Sequence, residues 1–181
     1  MDQGLIPRRY AKAIYVFASE KGKAKDVYEM MRILTRTFDE NPGLQSALAN
    51  PAISFSDKLA LVQTAAGVQS ADASVLDDVM KLLEQNRRID LTRSIALAYL
   101  DIYREANHIS VVKVTSAAPM PEATMNRLRQ LVKRHVGDGE IEFSSAVDPA
   151  LIGGFTVAVG NERLDASIAN ELKQMRLSLL R

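Results

Sequence analysis

From residue 7 to residue 109 the apolar positions recur with the three-to-four spacing of amphipathic helices. Tyr10, Ala13, Ile14 and Phe17 fall at i, i+3, i+4 and i+7, with Pro7 near the first turn and Gly22 as a stop. Val27, Met30, Met31, Leu34 and Phe38 repeat the pattern until Asn41-Pro42-Gly43 breaks it. A short turn through Leu44, Ala47 and Leu48 closes at Asn50-Pro51. Ser54-Phe55-Ser56-Asp57 has the form of a capping box, with Asp57 placed to reach back to free amides. It opens a helix through Leu59, Val62, Ala65 and Ala66 that Gly67 ends. Val75, Leu76, Val79, Met80, Leu82 and Leu83 make a fifth helix. A sixth runs from Asp90, read as its N-cap, through Leu91, Ile95, Ala98, Ile102 and Tyr103. Six helices with short connections predict a compact bundle.

The period changes near Asn107-His108. Val111-Val112-Lys113-Val114-Thr115 is a β-branched run of strand length, followed by the breaks of Ala118-Pro119-Met120-Pro121. Met125, Leu128, Val132 and Val136 share one helical face that Gly137-Asp138-Gly139 closes. Ile141 and Phe143 alternate with acids, and Phe155, Val157 and Val159 alternate again before a Gly160-Asn161 turn. Ile168, Leu172, Met175 and Leu179 form a narrow apolar seam on a closing helix, expected to pack inward. The predicted fold class is α+β: a six-helix bundle over 1–109, then a small α/β unit over 110–181.

Charge and composition narrow the function. The 23 basic and 22 acidic residues balance overall, and they balance within each segment as well, so no basic tail hides behind the average. That argues against a nucleic-acid partner, which would call for a basic patch. With no cysteine there is no disulfide, no thiolate nucleophile and no cysteine-ligated metal. The opening residues have neither the apolar core of a secretory signal nor the Arg/Ser bias of a transit peptide. No apolar run approaches the roughly 20 residues that span a bilayer. The expectation is a chain that stays where it is made and holds no cofactor or metal.

No cluster in the sequence reads as a catalytic site. Asp77-Asp78 and Asp39-Glu40 are neighbours on helices, which point about 100° apart and do not share a proton. His108 sits at a helix end, as a cap, and His135 lies near the seam of an amphipathic helix beside Lys133 and Arg134, in a boundary or surface role. Asn86-Arg87-Arg88 reads as a helix terminator. Gly153-Gly154 lacks the lysine and spacing of a phosphate loop. What stands out is surplus apolar surface. The first helix carries one stripe of Tyr10, Ile14 and Phe17 and another of Ala11, Tyr15 and Ala18. The fifth carries Val75-Val79-Leu82 beside Leu76-Met80-Leu83. A bundle helix needs about one 100° stripe for its own core. A second stripe means either deeper burial or a groove for a partner helix.

Three stretches together resemble a known family. Arg9-Tyr10-Ala11-Lys12-Ala13-Ile14-Tyr15 is similar to the opening helix of the F-type ATP synthase delta subunits, the bacterial equivalents of the oligomycin-sensitivity-conferring protein. Asn50-Pro51 with Lys58, and Leu82-Leu83-Glu84-Gln85-Asn86-Arg87-Arg88, resemble that family's middle. Val147-Asp148-Pro149-Ala150-Leu151-Ile152-Gly153-Gly154-Phe155-Thr156-Val157 and Leu164-Asp165-Ala166-Ser167-Ile168 resemble its most specific signature. Asp148, Gly153, Gly154, Asp165 and Ser167 in that signature read as structural: glycines for a turn, Ser167 as an N-cap, Asp165 at the helix amides.

The resemblance implies a non-catalytic stator subunit that links the catalytic head to the peripheral stalk and resists rotor torque during proton-coupled ATP synthesis. It implies that the bundle holds N-terminal helices of alpha subunits in a groove between the first and fifth helices. It implies that residues 110–181 contact the b subunits. The site expected from the stripes and the resemblance together is Tyr10, Ala13, Ile14, Phe17, Val75, Val79 and Leu82. Membrane association would come only through the complex, on the cytoplasmic face of a bacterial inner membrane. The alternative is a helical adaptor domain of another multi-subunit complex.

Overall fold

The computed structural model describes residues 4–67, 74–136, 139–160 and 162–179. The Gly137-Asp138 stop, Asn161 of the expected turn, and the side chains of His135, Val136 and Leu179 lie outside the described residues. The chain divides into two compact units, Met1–Ala106 and Asn107–Arg181.

The first unit runs α1 (Leu5–Glu20), α2 (Ala24–Glu40), α3 (Gly43–Ala49), α4 (Phe55–Ala65), α5 (Ser74–Gln85) and α6 (Thr92–Ala106). Local chemistry sets the ends. Gly22, at φ +67°, lets its own amide reach the Ser19 carbonyl and that of Lys23 reach Ala18, which closes α1 with a left-handed residue. Ser54 caps α4 by accepting from the Asp57 amide at 3.3 Å. The Asp57 carboxylate meets the Ser54 hydroxyl at 2.7 Å, so it closes the box on the cap's side chain. Asp90 is not the N-cap of α6. It lies inside a 3-10 turn, Ile89–Leu91, and the Thr92 hydroxyl donates to the Ile89 carbonyl at 2.5 Å where that turn passes into the helix.

α6 is the packing centre of this unit and lies against both α1 and α2. Its Tyr99 is fully buried and donates to the Ala24 carbonyl at 3.0 Å. Tyr28 stacks on Tyr103 at 4.3 Å, and Tyr15 meets the edges of this group. Burial first, then the neighbouring Tyr103 and Tyr15, push the Tyr99 phenol well above the usual tyrosine range. Arg104 donates to the Tyr28 hydroxyl at 3.0 Å and so closes the cluster at its polar edge.

The second unit is a four-stranded sheet in the order β2-β1-β3-β4, built from β1 (Ser110–Ser116), β2 (Ile141–Val147), β3 (Gly154–Val159) and β4 (Glu162–Ser167). β1 and β2 pair in parallel, and α7 (Glu122–Val136) is the crossover that parallel pairing requires. β3 and β4 form an antiparallel hairpin beside β1. Val112 and Val114 on β1, Val157 on β3, and Leu128 and Val132 on α7 make its core.

Two features depart from expectation. β4 is a polar edge strand with Leu164 as its one large apolar residue, so it carries almost no alternation to detect. α8 (Ile168–Leu179) does not pack the described part of its seam inward, because α7 already supplies the core's helical layer. Ile168, Leu172 and Met175 are exposed, the last two by 52% and 59%.

Gly154 joins the turn to β3 at φ +76°, and a Cβ there would run into the Ala166 carbonyl of β4. Gly160 is also left-handed, at φ +55°, yet has open space around it. Gly154→Ala is therefore expected to destabilise the second unit by about 2–4 kcal/mol in urea unfolding. Gly160→Ala, with conformational strain alone, is expected to lose only about 1 kcal/mol. Equal losses would show that close approach of β4 is not what requires glycine at 154.

Candidate functional site

Helix α1 turns its small residues inward. Ala11 and Ala18 are fully buried and Ile14 is 3% exposed, while Tyr15 joins the tyrosine cluster. α5 does the same with Leu76, Met80 and Leu83, and adds Val75 and Val79 to the buried set. Ile14, Val75 and Val79 thus belong to the bundle's own core. Tyr10 and Phe17 are half-buried, and Ala13 and Leu82 are exposed, Leu82 by 41%. The doubled stripes resolve into one core face on each helix and a remainder that reaches the surface.

That remainder converges. A cleft of about 480 Å³ lies between α1 and α5, lined by Ile6, Arg9, Tyr10, Ala13, Leu82 and Arg88. A second hollow, of about 490 Å³, continues from Arg9 and Ala13 along the outer face of α1 past Val16 and Phe17. Lys21 ties the far end of α1 to α5 through Asp78 at 3.7 Å, and its ammonium stands 4.0 Å from the centre of the Phe17 ring. Tyr10, Ala13 and Leu82 are the expected residues that meet in the cleft. Ile6, Arg9 and Arg88 were not expected there, although Ile6 stands one helical turn before Tyr10 and both arginines fall in the motif stretches.

The termination of α5 explains why Arg88 reaches the cleft. The Arg87 amide bonds to the Glu84 carbonyl and the Arg88 amide to the Leu83 carbonyl, with Arg87 left-handed at φ +54°. This is the double-bonded helix stop that usually places glycine at the left-handed position. It reverses the chain sharply and leaves Arg88 half-buried beside Leu82.

In the second unit the signature residues are structural. Asp148 accepts from the Ala150 amide at 2.9 Å and so caps the 3-10 turn Pro149–Leu151. Gly153 lies under the Ile168 side chain. Ser167 caps α8 by accepting from the Asn170 amide at 3.3 Å. Asp165 holds that cap instead of the helix amides, accepting from the Ser167 hydroxyl at 2.6 Å and from its backbone amide at 3.1 Å. The Ser167 hydroxyl first, then its amide and Arg163, hold the Asp165 carboxyl below the usual range against a smaller opposing effect of burial. α7 covers only part of its sheet face, leaving an apolar trough of about 440 Å³ with Leu131 and Leu164 exposed along it.

Among the described residues the candidate carboxylates and His108 do not come together. Asp77 accepts from Gln63 at 2.7 Å while Asp78 turns to Lys21, so the adjacent carboxylates are separately employed. Asp39 pairs with Arg93 at 2.7 Å and Glu40 with Arg36 at 2.8 Å. His108 is exposed and left-handed just beyond α6. Among the described residues no group of three His, Asp or Glu is placed to hold a metal ion.

The family model described as ATP synthase delta (OSCP) subunit matches residues 6–179. The chain is 38% identical over 176 residues to ATP synthase subunit delta of Bacteroides thetaiotaomicron, covering 97% of this chain and 94% of that one. It is 40% identical over 175 residues to the subunit of the same name from Phocaeicola vulgatus, covering 96% and 92%. A chain of the Toxoplasma gondii mitochondrial ATP synthase hexamer, seen by cryo-electron microscopy, superposes with a TM-score of 0.71 at 19% identity. The alignment covers 97% of both chains, and at that identity the likeness shows the fold.

Proposed function

The chain belongs to the ATP synthase delta (OSCP) subunit family, a non-catalytic part of that enzyme's stator, and on this premise we propose which of its surfaces hold which partners. Its partners are other subunits of the ATP synthase, and it is peripheral to the membrane complex. Among the described residues no helix is long and apolar enough to cross a membrane.

The first unit, taken as the six-helix bundle of residues 1–109, docks the N-terminal helix of an alpha subunit in the cleft between α1 and α5. The observation that carries this reading is the cleft itself: an apolar floor of Ile6, Tyr10, Ala13 and Leu82 left open between two helices that each already bury one core face. An amphipathic helix laid in such a groove buries its apolar face by the same physics that builds the bundle. The second unit, residues 110–181, meets the b subunits through the exposed seam of α8. A subunit held at both ends in this way transmits torque without performing chemistry. The two delta subunits compared above come from bacteria, which supports placing the assembly on the cytoplasmic face of the inner membrane.

Titration of the full-length chain with a synthetic alpha-subunit N-terminal peptide is expected to show saturable binding with a negative heat-capacity change. Leu82→Asp or Ala13→Asp is expected to remove that binding without moving the unfolding midpoint, since both side chains are exposed. Ile14→Asp and Val79→Asp are expected to unfold the bundle instead, because they bury an unpaired charge. Unchanged affinity in Leu82→Asp would place the docking surface elsewhere.

For the second unit, the double substitution Leu172→Asp/Met175→Asp is expected to keep the fold and lose proton-driven ATP synthesis in membranes. Peptide binding at the α1–α5 cleft is expected to survive. Full coupling in this variant would move the b-subunit contact off α8, with the trough between α7 and the β3–β4 hairpin as the next surface to alter.

A further inference from the structure

The cleft between α1 and α5 has an apolar floor but a charged rim, and the rim carries one sign only. Arg9 stands on the α1 wall and Arg88 at the turn that ends α5, and among the described residues no carboxylate lines the cleft between them. Two nearby cations are paired. Arg8, the next residue along α1, reaches Glu105 at 3.5 Å, and Lys21 reaches Asp78 at 3.7 Å. Among the described residues Arg9 and Arg88 have no such partner. Arg88 is half-buried, so its charge is partly withdrawn from water without a carboxylate to compensate. The left-handed Arg87 holds the backbone that presents it.

We propose that Arg9 and Arg88 form a guanidinium rim that selects an acidic amphipathic helix, with carboxylates flanking its apolar face at both walls of the cleft. This rests on the docking of an alpha-subunit helix proposed above, and it adds the charge and register of that helix. Apolar side chains enter between Tyr10, Ala13 and Leu82, and they supply most of the affinity. The arginines set direction: a helix whose carboxylates match both walls forms two forked, charge-assisted hydrogen-bond pairs, while one sliding by a turn leaves a guanidinium unpaired. Opposite charges at the rim also speed encounter and reject neutral or basic helices of equal hydrophobicity.

The test is a double-mutant cycle on the full-length chain. One axis is Arg9→Gln/Arg88→Gln. The other replaces Asp and Glu of the synthetic alpha-subunit N-terminal peptide by Asn and Gln. Either change alone is expected to weaken binding by about tenfold, the upper range for two partly exposed ion pairs, and both together by little more. Added salt is expected to weaken the unaltered pair and to leave the doubly altered pair nearly unaffected. If Leu82→Asp removes binding while Arg9→Gln/Arg88→Gln does not change it, the rim proposal is overturned and the docking site stands. If Leu82→Asp has no effect, or the unaltered peptide does not bind, the docking site is overturned and the rim proposal with it. Additive losses in the cycle would also overturn it, since the arginines and the carboxylates would then act on different groups.

Discussion

The close approach of α1 to α6 is the constraint from which the rest of the first unit follows. Ala11 and Ala18 on α1 and Ala96 on α6 are all fully buried, and small residues at a helix contact let the axes come together. With that face committed, the large side chains of α1 have only two places to go. Tyr15 turns toward α6 and joins Tyr99, Tyr103 and Tyr28, where ring contacts and the Tyr99 hydrogen bond lock α2 into the same cluster. Tyr10 turns the other way, toward α5, whose own core face is already complete, and Phe17 lies along the hollow on the outer face of α1. The result is a channel with an apolar floor that none of the described residues fills. A protein that had only to be stable would gain by closing it, since each buried apolar side chain contributes roughly 1.5–3 kcal/mol.

The second unit follows a different logic. A parallel pair of strands needs a crossover, and α7 supplies both the connection and the helical layer over Val112 and Val114. That single helix is too narrow for a four-stranded sheet, so Leu131 and Leu164 remain open along the trough and α8 is left without a core to join. The Asp165–Ser167–Asn170 hydrogen bonds and the close approach of Ala166 to Gly154 fix where α8 begins, while Ile168, Leu172 and Met175 of its apolar seam stay exposed. Each unit therefore keeps apolar surface beyond its own needs. That is the requirement for a link between larger bodies, in which the load crosses interfaces and the chain itself does no chemistry.

The sequence made the helical part legible because its stop signals act locally. Gly22 and Gly67 are left-handed where glycine was expected to end a helix, and Ser54 caps the helix it precedes. Asp90 misled because a carboxylate before an apolar run suits either a cap or the first turn of a 3-10 helix, and the Thr92–Ile89 contact that decides between them has no signature of its own. β4 went undetected because an edge strand is stabilised by backbone pairing to β3, which leaves no hydrophobic period to read. Of the site, the doubled stripes marked the two helices between which the cleft lies. Periodicity alone does not say which stripe a bundle keeps, and Ile14, Val75 and Val79 proved to be core. Arg9 and Arg88 fall in the motif stretches, but their placement in the cleft depends on how α1 and the end of α5 come together in space.

The central claim is that the open channel between α1 and α5 is an interface. The chain has no cysteine, so one introduced thiol carries one photo-crosslinker without background. Leu82→Cys places it in the channel, and Leu97→Cys places it on the exposed face of α6, away from the channel. In the assembled ATP synthase, irradiation is expected to join the residue-82 variant to an alpha subunit and to leave the residue-97 variant unlinked to it. An alpha-subunit crosslink from residue 97 and none from residue 82 would contradict the account.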